Sequence, residues 1–153
     1  MHIRTATEKD ITSIRWLLDE QNVFHSELLP AFFRVSPTEE SRVRKVLEEA
    51  DADFLIAEEE GELLGLAELH RKATKDLPIL VQKAYVYIQE LIVAEGHQGR
   101  GIGTEMMEAI RTWARERGAP SLRTSVVPSN DRARAFYARH GFVDTMVSIE
   151  ADV

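Results

Sequence analysis

Apolar residues recur along this chain at two spacings, and the alternation between them outlines the fold. Ile11, Ile14, Leu17 and Leu18 fall three and four apart, the period of one helix face, and Thr7 with Asp10 makes a capping pair ahead of them; together they predict a helix over about 8–21. Ser36-Pro37-Thr38-Glu39 combines a cap, a proline suited to the first helical position and a closing glutamate. Val43, Val46, Leu47 and Ala50 continue that signal as a second amphipathic helix. Ile102, Met106, Ala109, Ile110 and Trp113 mark a third over about 101–117, stopped by Gly118, and Ala133, Phe136 and Tyr137 a fourth over about 130–140, stopped by Gly141.

Between these lie β-prone runs. HIRTAT (2–7) opens the chain, and FLIAEEE (54–60) and LLGLAELH (63–70) flank a turn at Gly61 as a hairpin. AYVYIQELIVA (84–94) is the longest such run, SLRTSVV (121–127) ends at Pro128, and FVDTMVSIE (142–150) is the last. No linker or repeat interrupts the series, so the expected organisation is one α/β domain over 1–153. NVFHSELLPAFFR (22–34) fits neither period and is expected to pack down as a loop or line a pocket, with Phe24 and Phe33 among its apolar residues.

Composition narrows the class. The chain of 153 residues is 44% hydrophobic and 29% charged, which suits a folded core and not a disordered tail. It has no cysteine, which removes disulfides, thiolate metal sites and cysteine nucleophiles. No apolar run reaches membrane-spanning length and the first residues lack a signal-peptide core, so no membrane partner and a cytoplasmic location are expected. The net charge of −7 argues against nucleic acid as a partner. That charge is uneven: residues 1–97 carry 11 Lys/Arg against 19 Asp/Glu, whereas residues 98–153 carry 8 against 7. One reading is uneven solvated surface charge; the other is a division of labour in which the first part meets a cation and the second an anion.

The anion site is readable in Gln98-Gly99-Arg100-Gly101-Ile102-Gly103-Thr104, set between the longest strand and a helix. Alternate glycines allow a turn whose N–H groups share one concavity at a helix N-terminus, where a phosphate is favoured. A Walker loop would need Gly-Lys-Ser/Thr, which is absent, and a dinucleotide fingerprint starting at Gly99 would need glycine where Thr104 stands.

The loop instead resembles the acetyl-CoA pyrophosphate loop of the GNAT superfamily of N-acetyltransferases, whose pattern is Gln/Arg-x-x-Gly-x-Gly/Ala. A second stretch, Asn130-x-x-Ala133-x-x-Phe136-Tyr137-x-x-x-Gly141-Phe142, is similar to that superfamily's Asn-x-x-Ala-x-x-x-Tyr-x-x-x-Gly-Phe segment. His25, Pro30 and Phe33 echo a pattern of some members. The resemblance implies an α/β (α+β mixed) GNAT-like fold: a central, mostly antiparallel, twisted sheet of six to seven strands flanked by about four helices, with a splayed strand pair holding acetyl-CoA. It implies acetyl transfer from acetyl-CoA, as cosubstrate, to a small-molecule or peptide amine. Leu91, Ile92 and Val93 would hold the pantetheine arm, Gln98 to Thr104 the pyrophosphate, and Asn130 and Ala133 the remaining arm. Arg100, Arg132 and Arg134 are candidates for the outer phosphates. Homodimers are common in the superfamily, and a homodimer is an expectation here.

Such a transfer needs a base, a carbonyl-polarising amide and an acid for the leaving thiolate. Tyr137 matches the superfamily tyrosine assigned the acid role. Strict alternation along 86–92 puts Glu90 on the same face as Val86, Ile88 and Ile92, where desolvation would raise its pKa to suit a base near neutral pH. His25 and His70 are alternative bases, and Glu68 could orient the amine. The five histidines are scattered without a ligand spacing, so no metal is expected. The other reading is a GNAT-like acyl-CoA-binding module without transferase activity, which would need neither Glu90 nor Tyr137.

Overall fold

The computed structural model describes all of residues 1–153. Five strands form one sheet in the order β1 (His2–Thr5), β2 (Ala52–Glu59), β3 (Glu62–Ala73), β4 (Ala84–Val93) and β5 (Leu122–Arg123). The first four pair antiparallel, and β5 joins β4 parallel at Val86 and Tyr87 alone. Four α-helices complete the fold: α1 (Ile11–Leu28), α2 (Glu40–Glu48), α3 (Ile102–Glu116) and α4 (Asp131–Arg139).

The sheet is buried on both faces, which explains why β2 and β3 read as nearly continuous apolar runs. Phe54, Ile56 and Leu66 pack with Ile14, Leu17 and Val43 of α1 and α2. Leu55, Ala57, Ala67 and Leu69 pack with Met106, Met107 and Ile110 of α3. Burying each large side chain contributes roughly 1.5–3 kcal/mol relative to exposure. The indole N–H of Trp113 donates to Asp53 at 2.7 Å, fixing α3 across β2. Gly65 brings α3 and the sheet together, since a Cβ there would lie 2.7 Å from the sulfur of Met106.

Several boundaries differ from the sequence reading. The Thr7–Asp10 capping box forms, but it opens a short 3-10 turn that runs into α1. α1 continues to Leu28, so residues 22–28 are helix and not loop. α2 begins at Glu40, three residues beyond Pro37, because the preceding segment is stitched to α1 instead. Arg15 donates to the Thr38 carbonyl at 2.9 Å, Asp19 accepts from the Thr38 N–H at 2.7 Å, and Asn22 accepts from the Ser36 N–H at 2.8 Å. The strand expected over 121–127 shortens to two residues. The strand expected over 142–150 does not form, leaving five strands rather than six or seven; those residues have the right pattern but no neighbouring strand to bond. No helix is long and apolar enough to cross a membrane.

Candidate active site

The site is organised around the parting of β4 from β5. Beyond Tyr87 and Arg123 the ladder stops, and side chains take over: the Thr124 hydroxyl donates to the Ile88 carbonyl at 2.9 Å, and Tyr87 and Ser125 hydroxyls lie 2.9 Å apart. The wedge opens into a cleft of about 820 Å³. Leu91, Ile92 and Val93 line it from β4, Gln98, Gly99, Gly101, Ile102, Gly103 and Thr104 from the glycine loop, and Asn130, Ala133 and Tyr137 from α4.

The glycine loop has the form its sequence predicts. Gly101 is the N-cap of α3 at φ 84°, a left-handed conformation that an L side chain would strain. Thr104 and Glu105 both donate to its carbonyl. The backbone N–H groups of Gln98 through Gly103 donate to no acceptor within the protein, so a run of amides faces the cleft at a helix N-terminus. Gly103 is held to hydrogen by packing: a Cβ would stand 3.1 Å from the ring of Phe136. Gln98 donates to the Val93 carbonyl and accepts from Arg132, tying loop, strand and α4 together. Asn130 caps α4 by accepting from the Ala133 N–H at 3.1 Å. Arg100 is not part of the cleft wall; it bonds Glu59 at 3.2 Å and His97 at 2.8 Å. Arg134 pairs with Asp144.

Glu90 lies where alternation did not place it. The β3–β4 register pairs Glu68 with Glu90 and then Leu69 with Ile88, so Gln89 is a bulge, exposed to solvent. The bulge exchanges the faces of β4. Val86 and Ile88 belong to the α3 core, whereas Ile92 belongs to the α1/α2 core. Glu90 therefore shares a face with Ile92 and Glu68, not with Val86 and Ile88. It is half-buried, and burial above all, with the Glu68 charge adding and Arg42 opposing, pushes its carboxyl up to about 7.

Glu68 is 2% exposed: one oxygen accepts from Arg42 of α2 at 2.6 Å, the other meets His70 Nε2 at 2.7 Å. Each oxygen is thus held by one basic side chain. His70 in turn stands 3.8 Å from Glu49. Arg42 was not among the sequence candidates. Only the packing of α2 on the sheet brings it to Glu68, and nothing in its own sequence neighbourhood signals that.

Tyr137 sits on α4 with its ring edge-on to Phe136 and Phe142, at centroid distances of 5.4 and 5.0 Å. Burial, opposed by a hydrogen bond with Thr124 and reinforced by the charge of Glu90, pushes its hydroxyl up to about 12, so it is protonated at neutral pH. His25 stacks on Phe33 at 5.2 Å and burial holds its pKa below the usual histidine value. Phe24 reaches the cleft; His25 and Phe33 do not line it, and neither do Glu68 and Glu90. Beside the expected Phe24, α1 supplies wall residues that the sequence reading missed, Glu20, Val23 and Glu27. Their spacing of three, four and seven is the signal that would have revealed a helical face.

The model of the acetyltransferase (GNAT) family matches residues 14–142. The uncharacterized N-acetyltransferase YhfO of Bacillus subtilis is 26% identical over 145 residues, covering 93% of this chain and 89% of that one. Streptothricin acetyltransferase A of Bacillus subtilis is 31% identical over 108 residues, covering 67% and 62%. Among solved structures, a point mutant of the BH1408 protein from Bacillus halodurans superposes with a TM-score of 0.94 at 28% identity, covering 100% of this chain and 99% of that one.

Proposed function

The chain belongs to the acetyltransferase (GNAT) family and is an N-acetyltransferase; we propose that its donor is acetyl-CoA and its acceptor the primary amine of a small, cationic molecule. The observation that carries this reading is the wedge between β4 and β5, closed at one end by the unpartnered amides of residues 98–103. Those amides and the α3 N-terminus would hold the pyrophosphate, and the backbone of Leu91 to Val93, freed from β5, the pantetheine arm. Tyr137 lines the cleft, and Glu90, one residue before Leu91 of its wall, is near enough for its charge to act on Tyr137.

In this reading Glu90 takes the proton of the incoming ammonium, directly or through water, so that a neutral amine nitrogen attacks the thioester carbon. A backbone amide of the Leu91–Val93 stretch steadies the oxygen of the tetrahedral intermediate. As the carbon–sulfur bond breaks, Tyr137 gives its proton to the departing sulfur. The products are the acetamide and free CoA; the second proton that the acylated nitrogen sheds restores the Tyr137 hydroxyl through water, and the proton held by Glu90 returns to solvent. A carboxyl near 7 suits the first step, and a hydroxyl that stays protonated suits the last.

Charge on the cleft wall supports a cationic acceptor. Glu20, Glu27 and Glu95 come from the acidic first part of the chain, whereas Arg132 and Arg139 come from the second, on the α4 side. A relative named for streptothricin acetylation is consistent with a small-molecule acceptor. The test is free-CoA release from acetyl-CoA with a panel of polyamines, amino sugars and lysine peptides. Turnover on a polyamine or amino sugar, lost in Glu90→Gln, is expected. Turnover on peptides alone would overturn the acceptor assignment, and none on any amine would overturn the transfer itself.

A further inference from the structure

Arg42 reaches Glu68 from α2, and only one arm of its guanidinium is accounted for. Nη2 donates to Glu68 at 2.6 Å, whereas Nη1 is buried and has no hydrogen-bond partner. The side chain as a whole is 39% exposed, so solvent touches other parts of it and not this atom. A charged N–H without an acceptor costs more than a neutral one, and water that cannot reach it gives no relief.

The acceptor therefore comes from the surrounding cluster. Its titratable groups are Glu49 beyond α2, Glu68 and His70 of β3, Tyr87 and Glu90 of β4, and Tyr137 of α4. Both Glu68 oxygens have a basic partner, and Glu49 stands 3.8 Å from His70. The Tyr87 hydroxyl pairs with Ser125, and that of Tyr137 with Thr124. Glu90 has no hydrogen bond, and the charges that act on it are those of Glu68 and Arg42. Register brings the two carboxylates together: Glu68 and Glu90 lie directly opposite in the β3–β4 ladder, which sets their Cβ atoms about 4.5–5.5 Å apart. Two carboxylates at that spacing repel unless a cation bridges them. A guanidinium suits the task, because its planar fork carries two separate terminal nitrogens where an ammonium is a single point.

We propose that Arg42 is the positioning residue of the base: its guanidinium spans the facing carboxylates, Nη2 on Glu68 and Nη1 on one oxygen of Glu90 once Glu90 has lost its proton. The ionised carboxylate is an acceptor only, with two oxygens. One oxygen on Nη1 leaves the other to take the ammonium proton and fixes where it points. When that proton arrives, the charge holding Glu90 to Arg42 is gone, the contact loosens, and the acid passes its proton on to water. The contact is a property of the chain without substrate; its part in turnover rests on Glu90 acting as the base.

NMR of arginine-labelled protein between pH 5.5 and 8.5, without substrate, tests the contact. Arg42→Lys removes one set of guanidinium signals and so assigns them. The Arg42 Hη1 signal should move downfield as Glu90 ionises, and Glu90→Gln should abolish the movement. A wild-type signal indifferent to pH, or one that moves equally in Glu90→Gln, would overturn the inference. The part in turnover is read from the pH profile of kcat/KM in Arg42→Lys, which keeps a cation beside Glu68 and loses the second arm. Its acid limb should move up by about one pH unit with little change in Tm, so that kcat/KM at pH 6 falls about tenfold. A limb left at the wild-type position would show that charge alone acts on Glu90 and would overturn the positioning role. The NMR result needs no acceptor, so the contact and the acetyl-transfer reading fail separately.

Discussion

Replacing Glu90 by Gln is expected to make the protein more stable and less active, with a pH dependence that follows from one carboxyl. Gln keeps the shape and removes the ionisation. The folded state holds the Glu90 pKa near 7 against an ordinary 4.5, so it binds this proton more tightly than the unfolded chain does. Stability therefore falls as pH rises from about 4.5 to 7, and the penalty is complete above that. A shift of about 2.5 units at about 1.4 kcal/mol each bounds the penalty at ~3.5 kcal/mol. Partial solvent access to a half-buried side chain reduces this to about 2 kcal/mol. For a chain of this size that is roughly 4–8 °C in Tm. Thermal unfolding followed by circular dichroism from pH 4 to 8.5 would show the curves of Glu90→Gln and wild type together near pH 4. They should separate through pH 7 and stay parallel above it. A gap that is constant with pH, or one that favours wild type at pH 8, would refute the reasoning that Glu90 is a desolvated carboxyl beside Glu68.

Tyr137→Phe keeps the ring between Phe136 and Phe142, so Tm should change little while kcat falls about a hundredfold, the usual scale for losing a general acid. Glu68→Gln and Arg42→Gln should move the acid limb of the rate profile in opposite directions. Removing the Glu68 charge lowers the Glu90 pKa and shifts the limb to lower pH; removing Arg42 shifts it higher, and limbs that move together would show another group titrating. Gly101→Ala places a Cβ at φ 84° and should cost about 1 kcal/mol in denaturant unfolding, with weaker acetyl-CoA binding by calorimetry because the loop amides turn with it.

The form of the glycine loop and of the α4 cap was legible because their signals are local. Three alternate glycines between a strand and a helix, and an asparagine that caps α4, carry their meaning within a few residues. Glu90 and Tyr137 were legible as residue types in the right elements. The face of Glu90 was not, because a single bulged residue, Gln89, reverses alternation and β4 gives no glycine or proline to announce it. Arg42 and its grip on Glu68 depend on how α2 docks across the sheet, a long-range relation between elements that each look ordinary. The acidic wall of α1 was hidden by reading residues 22–28 as loop. There a helix end was inferred from the loss of buried periodicity, when the periodicity had only turned toward the cleft. The last strand was read correctly as a pattern and wrongly as an element of the sheet, since a strand exists only with a neighbour.

The pH dependence of kcat/KM for acetyl transfer, compared between wild type and Glu90→Gln, tests the central claim most directly. Wild type should rise with unit slope to a plateau with an apparent pKa near 7, and the variant should lose the limb along with a hundredfold or more of the rate. A wild-type profile flat between pH 5.5 and 8, or a variant that keeps both the limb and the rate, would contradict the assignment of Glu90 as the base, acting on the cleft directly or through water.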